Sequence, residues 1–234
     1  MRKVIVLGLC ILSLLGAREV LATGIGPYFE YGYGAFSPKV DDLLGISIPE
    51  TEINFKANHI TFGFLLDTCT SQDKLFNYRL TVGLDIVPLK LDSFESLGVK
   101  WDPNDLGVDL DQTGWGFNMK HTFGFGILRT SAVRVWAGPA LRLYCDFFGE
   151  AANPYNVDPY SSGDSSILLG GGAGPEVGVN IHLGGTFSIG VSGGYNFNYA
   201  AYILGDDTLS GAEHMFYVQV APIFNVGADR NVWQ

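Results

Sequence analysis

The sequence is poor in three things, each of which would point to a familiar class of protein. It has three cysteines in 234 residues. Cys10 lies in the apolar N-terminal segment, and Cys69 and Cys145 have neither a CxxC partner nor metal-ligand spacing. A disulfide framework and a thiolate metal centre are thereby excluded. Basic residues are also scarce, with 14 Lys and Arg against 24 Asp and Glu. Nucleic-acid binding rests on phosphate neutralisation by Lys and Arg, so no nucleic-acid partner is expected. After residue 22, finally, no apolar run approaches the ~20 residues that a membrane helix needs.

The N-terminus reads as an export signal. Arg2 and Lys3 precede the apolar run Val4 to Ala17, and Val20-Leu21-Ala22 supplies a small-residue cleavage site. The run is too short for a membrane anchor, and Arg18 and Glu19 follow it. Cys10 lacks the preceding small residue of a lipoprotein signal. Residues 1–22 are therefore expected to be a cleaved signal peptide and residues 23–234 a single domain. Cleavage would remove three of the 14 bases and one of the 24 acids, leaving a net charge near −12.

What the chain has in abundance is a two-residue rhythm. Tyr78, Leu80, Val82, Leu84 and Ile86 alternate with Arg79, Thr81, Gly83 and Asp85. Side chains of a strand point to opposite faces at period two, so such a stretch has one apolar and one polar face. The same pattern predicts strands over 27–37, 55–68, 76–88, 113–127, 132–147, 166–183, 186–203 and 213–227. Short connections alternate with longer ones at Pro38–Asn54, Leu89–Gln112, Phe148–Ser165 and Leu204–Ala212. Alternating segments of about ten residues, with short turns on one side and long loops on the other, are the pattern of a transmembrane β-barrel. The fold expected is all-β, an eight-stranded antiparallel up-and-down transmembrane barrel with both ends on the short-turn side.

A soluble barrel of the lipocalin kind would show the same alternation. Its outer face, however, would be dense in Lys and Glu. Here the polar phase is mainly Gly, Ser and Asn, as at Gly170, Gly172, Gly174, Ser192 and Asn196. Small residues suit the crowded interior of a barrel eight strands wide. The charges of that phase are Glu30, Asp67, Asp85 and Glu176 against Arg79, Lys120, Arg134 and Arg142. That balance fits a desolvated interior, where a lone charge is costly. We expect Asp67 to pair with Arg79, Asp85 with Lys120, and Glu176 with Arg134 or Arg142. The long loops, counted with Glu213, hold 16 acids. They read more readily as solvated, mutually repelling loops than as a cation-bridged contact with lipopolysaccharide phosphates.

Possible chemical motifs dissolve into this architecture. Gly190-Val191-Ser192-Gly193-Gly194 matches a nucleophile pattern, but it sits inside an uninterrupted alternating strand with no helix after it. Asp102-Pro103-Asn104-Asp105-Leu106-Gly107 begins like a calcium loop and then fails, with Leu106 at its fifth position and Thr113 at its twelfth. His59, His121, His182 and His214 lie on four different strands without zinc spacing. Three proline segments, at Pro139, Pro175 and Pro222, suggest bulges that bend a tight barrel.

Residues 25–227 resemble the small eight-stranded outer-membrane barrels, the class of the OmpA membrane domain, OmpX and OmpW. Signal, strand number, loop alternation and Gly-rich polar interior carry the likeness. Such barrels end on an aromatic residue read by the insertion machinery, whereas this chain continues past Phe224 to Trp233-Gln234. No stretch after strand eight could form the peptidoglycan-binding domain of full-length OmpA. The resemblance implies a cell-envelope protein of the Gram-negative outer membrane, in contact with lipid, lipopolysaccharide and the barrel-insertion machinery, and monomeric. The expected role is structural or surface-interacting, with a plugged lumen and no cofactor, metal or catalytic residues. A narrow OmpW-like channel for small or hydrophobic solutes is the alternative. A lipid A-modifying enzyme comes third, since no stretch carries the His and Ser pattern of the PagL or PagP kind.

Overall fold

The computed structural model describes residues 24–43, 46–68, 75–106, 111–150, 165–184, 186–204 and 207–225. The signal segment and Cys69 lie outside them. The strands are β1 (Gly24–Leu43), β2 (Ile46–Asp67), β3 (Phe76–Ser96), β4 (Val99–Trp101), β5 (Gln112–Arg129), β6 (Val133–Glu150), β7 (Ser165–His182), β8 (Phe187–Leu204) and β9 (Asp207–Asn225). Neighbours in sequence pair antiparallel, and β1 pairs with both β2 and β9, which closes the ring. β4 is only a short return on the end of β3, so the barrel itself has eight strands.

The two faces follow the period-two pattern. Even-numbered residues of β3 point outward and odd-numbered ones inward, which gives its alternating exposure. Phe64, Trp115 and Ile127 are 67%, 60% and 71% exposed on the outer wall. Phe29, Leu84, Leu143, Val177, Phe197 and Phe216 continue the same belt around the ring. An apolar band encircling a molecule is unstable in water and stable against hydrocarbon. Backbone groups in the wall meet their partners in the closed ladder, as a lipid environment requires. The molecule is a transmembrane β-barrel, and the soluble alternative fails on this wall.

The expected long loops are shorter than the sequence suggested. β1, β2 and β3 run for 20, 22 and 21 residues, about twice the 9–11 a membrane crossing takes. Most of 38–54 is therefore hairpin, with Ala35 opposite Lys56 and Lys39 opposite Glu52. β3 likewise continues to Ser96, turns at Leu97-Gly98 and returns as β4. A 3₁₀ turn, Pro103–Leu106, follows where the calcium-like motif begins, and Gly107 of that motif lies outside the described residues. β9 begins at Asp207, inside the expected fourth loop. Solvated strands of mixed polarity lack strict alternation, which is why they read as loops. Residues 151–164 lie outside the described set.

The prolines do not make bulges. Thr122 pairs with Ala140 and Phe125 with Ala137, in one unbroken register across Pro139. The same holds on either side of Pro175, where Ala173 pairs with Phe197 and Glu176 with Gly194. Proline removes one ladder donor without adding a residue, so pairing lapses locally while register persists. A Cβ on Gly138 or Gly174 would overlap the carbonyl of Phe123 or Tyr195 on the next strand, so the backbones stay in contact. The bulges lie elsewhere, largely on the projecting ends. One adds Asp92 to β3, between the pairs Asn54–Ser93 and Phe55–Leu91.

The wall makes a direct prediction. Val82 faces outward between Phe64 and Met119, its ladder partners on β2 and β5. Val82→Arg should destabilise the folded barrel by about 2–4 kcal/mol, the cost of a cation at mid-membrane depth. Val99→Arg on the projecting β4 should be close to neutral. Denaturant titration in lipid vesicles, read by the gel mobility of unboiled protein, compares the two.

Candidate functional site

The inward phase carries large side chains and fills the barrel in tiers. Large residues settle over glycines of the next strand: Tyr144 over Gly170, Trp136 over Gly178, Tyr217 over Gly194. A Cβ at any of these glycines would meet an aromatic ring. This is why the polar phase is glycine-rich, since each small position leaves room for a neighbour that crosses the lumen.

Nearest the short turns, Tyr28, Leu65, Ala221 and Ile223 form a small apolar cluster. Beside it Arg79 Nε stands 3.0 Å from Asp67 Oδ2, and Asn180 donates to the same oxygen at 3.4 Å. The guanidinium of Arg79 also lies over Trp136, 4.7 Å from its ring centre. Arg134 is buried and reaches the Leu75 carbonyl at 3.3 Å.

The second tier centres on Lys120. Its ammonium donates to Glu30 Oε2 at 2.7 Å, Gln219 Oε1 at 2.9 Å and Glu176 Oε1 at 3.5 Å. All three of its N–H bonds are thus engaged. Glu30 accepts a second charged bond from Arg142 Nη2 at 2.5 Å. Glu176 is completed by Thr122 and Tyr217 at 2.7 and 3.2 Å. The Tyr217 ring lies between the cations, 4.0 Å from Lys120 Nζ and 4.6 Å from Arg142.

The third tier gathers His59, Asp85, Tyr144, Asp146, Asn198 and Glu213. Asp85 takes Thr61 at 3.0 Å and lies 2.7 Å from His59 Nδ1. On its other side His59 Nε2 faces Glu213 Oε1 at 3.6 Å. Tyr144 and Asn198 donate to Glu213 Oε2 at 2.6 and 2.7 Å. Above this tier an apolar plug of Phe36, Ile53, Phe55, Leu89, Phe148 and Leu168 occupies the outer end of the lumen.

All eight charges singled out in the sequence lie inside the barrel and are at most 3% exposed. Asp67 meets Arg79 as expected from the sequence. Asp85 does not meet Lys120, and Glu176 pairs with neither Arg134 nor Arg142. Those expectations paired charges on adjacent strands, whereas in so narrow a lumen long side chains reach across it, as Lys120 of β5 does to Glu30 of β1. The sequence reading missed His59, Asp146 and Glu213. Each sits on the inward phase, between outward Asn58 and Ile60, Cys145 and Phe147, Ala212 and His214, so phase places each of them in the lumen without showing that they meet. The apolar plug is legible in the same way, because Phe36, Phe55 and Phe148 fall on the inward phase of their strands. Of the other histidines, His121 bonds Tyr78 at 2.6 Å, His214 bonds Tyr195 at 2.5 Å and His182 bonds Ser188 at 2.8 Å. Ser192 sits mid-strand opposite Gly178 and Gln219, with no nucleophile turn.

No protein-family model matches the sequence, and no curated relative matches it. Solved structures do. The outer membrane protein AlkL in lipid bilayers is 13% identical with a TM-score of 0.40, over 88% of this chain and 90% of that one. A major outer membrane protein of Thermus thermophilus is 10% identical at 0.41, over 86% and 99%. Ail, the attachment invasion locus protein of Yersinia pestis, is 12% identical at 0.34, over 85% and 99%. Likenesses this distant transfer no activity, and the membrane reading rests on the apolar wall.

Breaking the second tier should be expensive. Arg142→Ala leaves Glu30 buried with Lys120 alone, and loss of one partner from a buried pair costs about 3–5 kcal/mol. Denaturant titration of the refolded barrel should show that loss. A change within error would mean that water reaches Glu30.

Proposed function

We propose that this is an outer-membrane barrel with a closed lumen, exported through residues 1–22 as a cleaved signal, whose projecting strands serve structural and surface contacts. The observation that carries the reading is the tiered filling of the interior. An apolar plug lies at one end, an apolar cluster at the other, and between them buried polar tiers in which Lys120 and Arg142 are paired with Glu30. A solute path needs water or a weakly bound ion in the lumen, and the packing supports neither.

The projecting part is a small sheet of its own. Beyond the pair Pro38–Gly211 the end of β1 no longer meets β9, and beyond Leu89–Gln112 the end of β3 no longer meets β5. The ends of β1, β2 and β3, with β4, therefore stand clear of the ring. Lys56 and Lys100 both reach Asp92, the extra residue of the β3 bulge, and Lys90 reaches Asp111. The bond to Asp92 raises the Lys56 ammonium above its ordinary pKa. Exposed pairs of this kind add little stability, so they act on the shape and charge of the surface offered to lipopolysaccharide or to another envelope component. The protein acts as a monomer in outer-membrane lipid, inserted by the barrel-insertion machinery, and performs no catalysis.

One observation bears on the alternative of a conduit for hydrophobic solutes. A dent of about 710 Å³ lies in the wall over β6 to β9, lined by Ala137, Pro139, Ala173, Pro175, Tyr195 and Phe216. It coincides with the lapsed ladder at Pro175. Contact between the Gly174 backbone and the Tyr195 carbonyl closes that seam, and Glu176 stands behind it, held by Lys120 and Thr122. The dent therefore supports a lipid-facing hollow better than a lateral gate.

Planar-bilayer recording of refolded protein separates the two readings. The closed barrel should give no steady conductance steps. Regular, long-lived steps from wild-type protein would replace it with the channel reading.

A further inference from the structure

The charge count inside the barrel does not close. Among the described residues the buried acids are Glu30, Asp67, Asp85, Asp146, Glu176 and Glu213, against Arg79, Lys120, Arg134 and Arg142. Six carboxylates face four cations, and the surplus falls in the third tier. Asp67 and the second tier have their cations at hand, whereas Asp85, Asp146 and Glu213 have only His59 among them. The Arg142 guanidinium lies close below, but its bond goes down to Glu30.

The polar atoms agree with the charge count. Neither carboxylate oxygen of Asp146 has a hydrogen-bond partner, although the residue is fully buried. Glu213 Oε1 and His59 Nε2 are also without one. Donor atoms of His59, Asp85 and Asp146 all lie within 4.8 Å of one another. Both oxygens of Asp146 are thus bare beside His59 and Asp85, and His59 Nε2 and Glu213 Oε1 face each other at 3.6 Å, beyond hydrogen-bond length, which is costly in a dry interior if nothing lies between them.

We propose that this tier is a divalent metal site, with His59 Nε2, Asp146 and Glu213 Oε1 as ligands and Asp85 as the group that orients the imidazole. An ionised Asp85 can only accept, so His59 donates from Nδ1, and a neutral imidazole then turns its Nε2 lone pair toward Glu213 Oε1. That is the carboxylate–histidine–metal relay by which metal sites set the tautomer of a ligand. Two ligands at ~2.1 Å in a tetrahedral shell lie about 3.4 Å apart. His59 Nε2 and Glu213 Oε1 stand 3.6 Å apart. Tyr144 and Asn198 hold the other oxygen of Glu213, which leaves Oε1 aimed at the gap. One imidazole with carboxylates suits zinc and its first-row neighbours better than the all-oxygen shells of calcium or magnesium. An ion of charge two also cancels the surplus of two carboxylates counted over the whole lumen. Under the apolar plug such an ion would be sealed in, tying β2, β6 and β9 together across the lumen.

The test is metal content and metal-dependent stability of the full mature barrel. Protein refolded with Zn²⁺ and dialysed against metal-free buffer should retain about one ion per chain by elemental analysis. Its heat-unfolding midpoint, read on unboiled gels, should exceed that of protein refolded with chelator. Asp146→Asn should lose both the ion and the zinc-dependent shift, and Asp85→Asn should weaken binding ~10–100-fold. Asp105→Asn in the exposed 3₁₀ turn should change neither. Two results would overturn the site: wild-type protein that retains no ion, or an Asp146→Asn variant that retains it equally. A more stable Asp146→Asn barrel with no zinc effect in wild type would mean that the carboxylates share protons instead. If Asp146→Asn does not fold, Co²⁺ replaces Zn²⁺ in wild type. Intense tetrahedral ligand-field bands support the site, and a spectrum like that of free aqueous Co²⁺ refutes it.

Discussion

The structure depends on one constraint. Eight strands close on a space too narrow for water to solvate what points into it, so every inward polar group must find its partner inside the protein. In the first two tiers the chain meets this demand largely by crossing the lumen, and in the third tier Asp146 is left without a partner. Lys120 of β5 reaches Glu30 of β1 and Glu176 of β7, and Arg142 of β6 reaches Glu30. These contacts join strands that share no ladder, so the lumen braces the ring from within. The same groups that stabilise the wall also close the path through it. The cost falls on sequence freedom: an inward Tyr144 or Trp136 needs a glycine on the next strand.

Much of this is legible in the sequence. Strand number, order and the two faces follow from period two, because in a barrel one phase meets lipid and the other meets the lumen without exception. The eight network charges lie on the phase that the alternation assigns to them. Partner choice is not legible in the same way. Ladder neighbours can be read from turns, but Lys120 and Glu30 are 90 positions apart and meet only because the ring is closed. His59, Asp146 and Glu213 escape for a different reason. In the sequence each stands as a single residue or a loop acid, and only three-dimensional closure shows that their strands converge at one level.

The projecting hairpins mark where period two stops being informative. In the membrane each phase has one solvent, so the alternation is strict. Above it, exposed Glu95, Val99 and Trp101 stand among buried Ile53 and Ser93 without a strict alternation, and the segments look like loops. The prolines show a related limit. Composition indicates that Pro139 and Pro175 disturb a ladder, but whether the register slips depends on an inserted residue, and none is inserted there. The wall stays continuous at both seams, which matters for function because an open seam would give lipid-soluble molecules a way in.

The central claim is that the lumen is dry and closed, and thiol labelling tests it most directly. In a background with Cys69 and Cys145 replaced by serine, single cysteines at Thr81, Thr122 or Ser192 point inward. Each folded variant is exposed in turn to a small water-soluble thiol reagent, alongside a control cysteine at Val99 on β4. The closed lumen predicts rapid labelling at position 99 and none at 81, 122 or 192 until the barrel is boiled. Rapid labelling of all three inward positions in the folded barrel would show continuous water in the lumen and contradict the account.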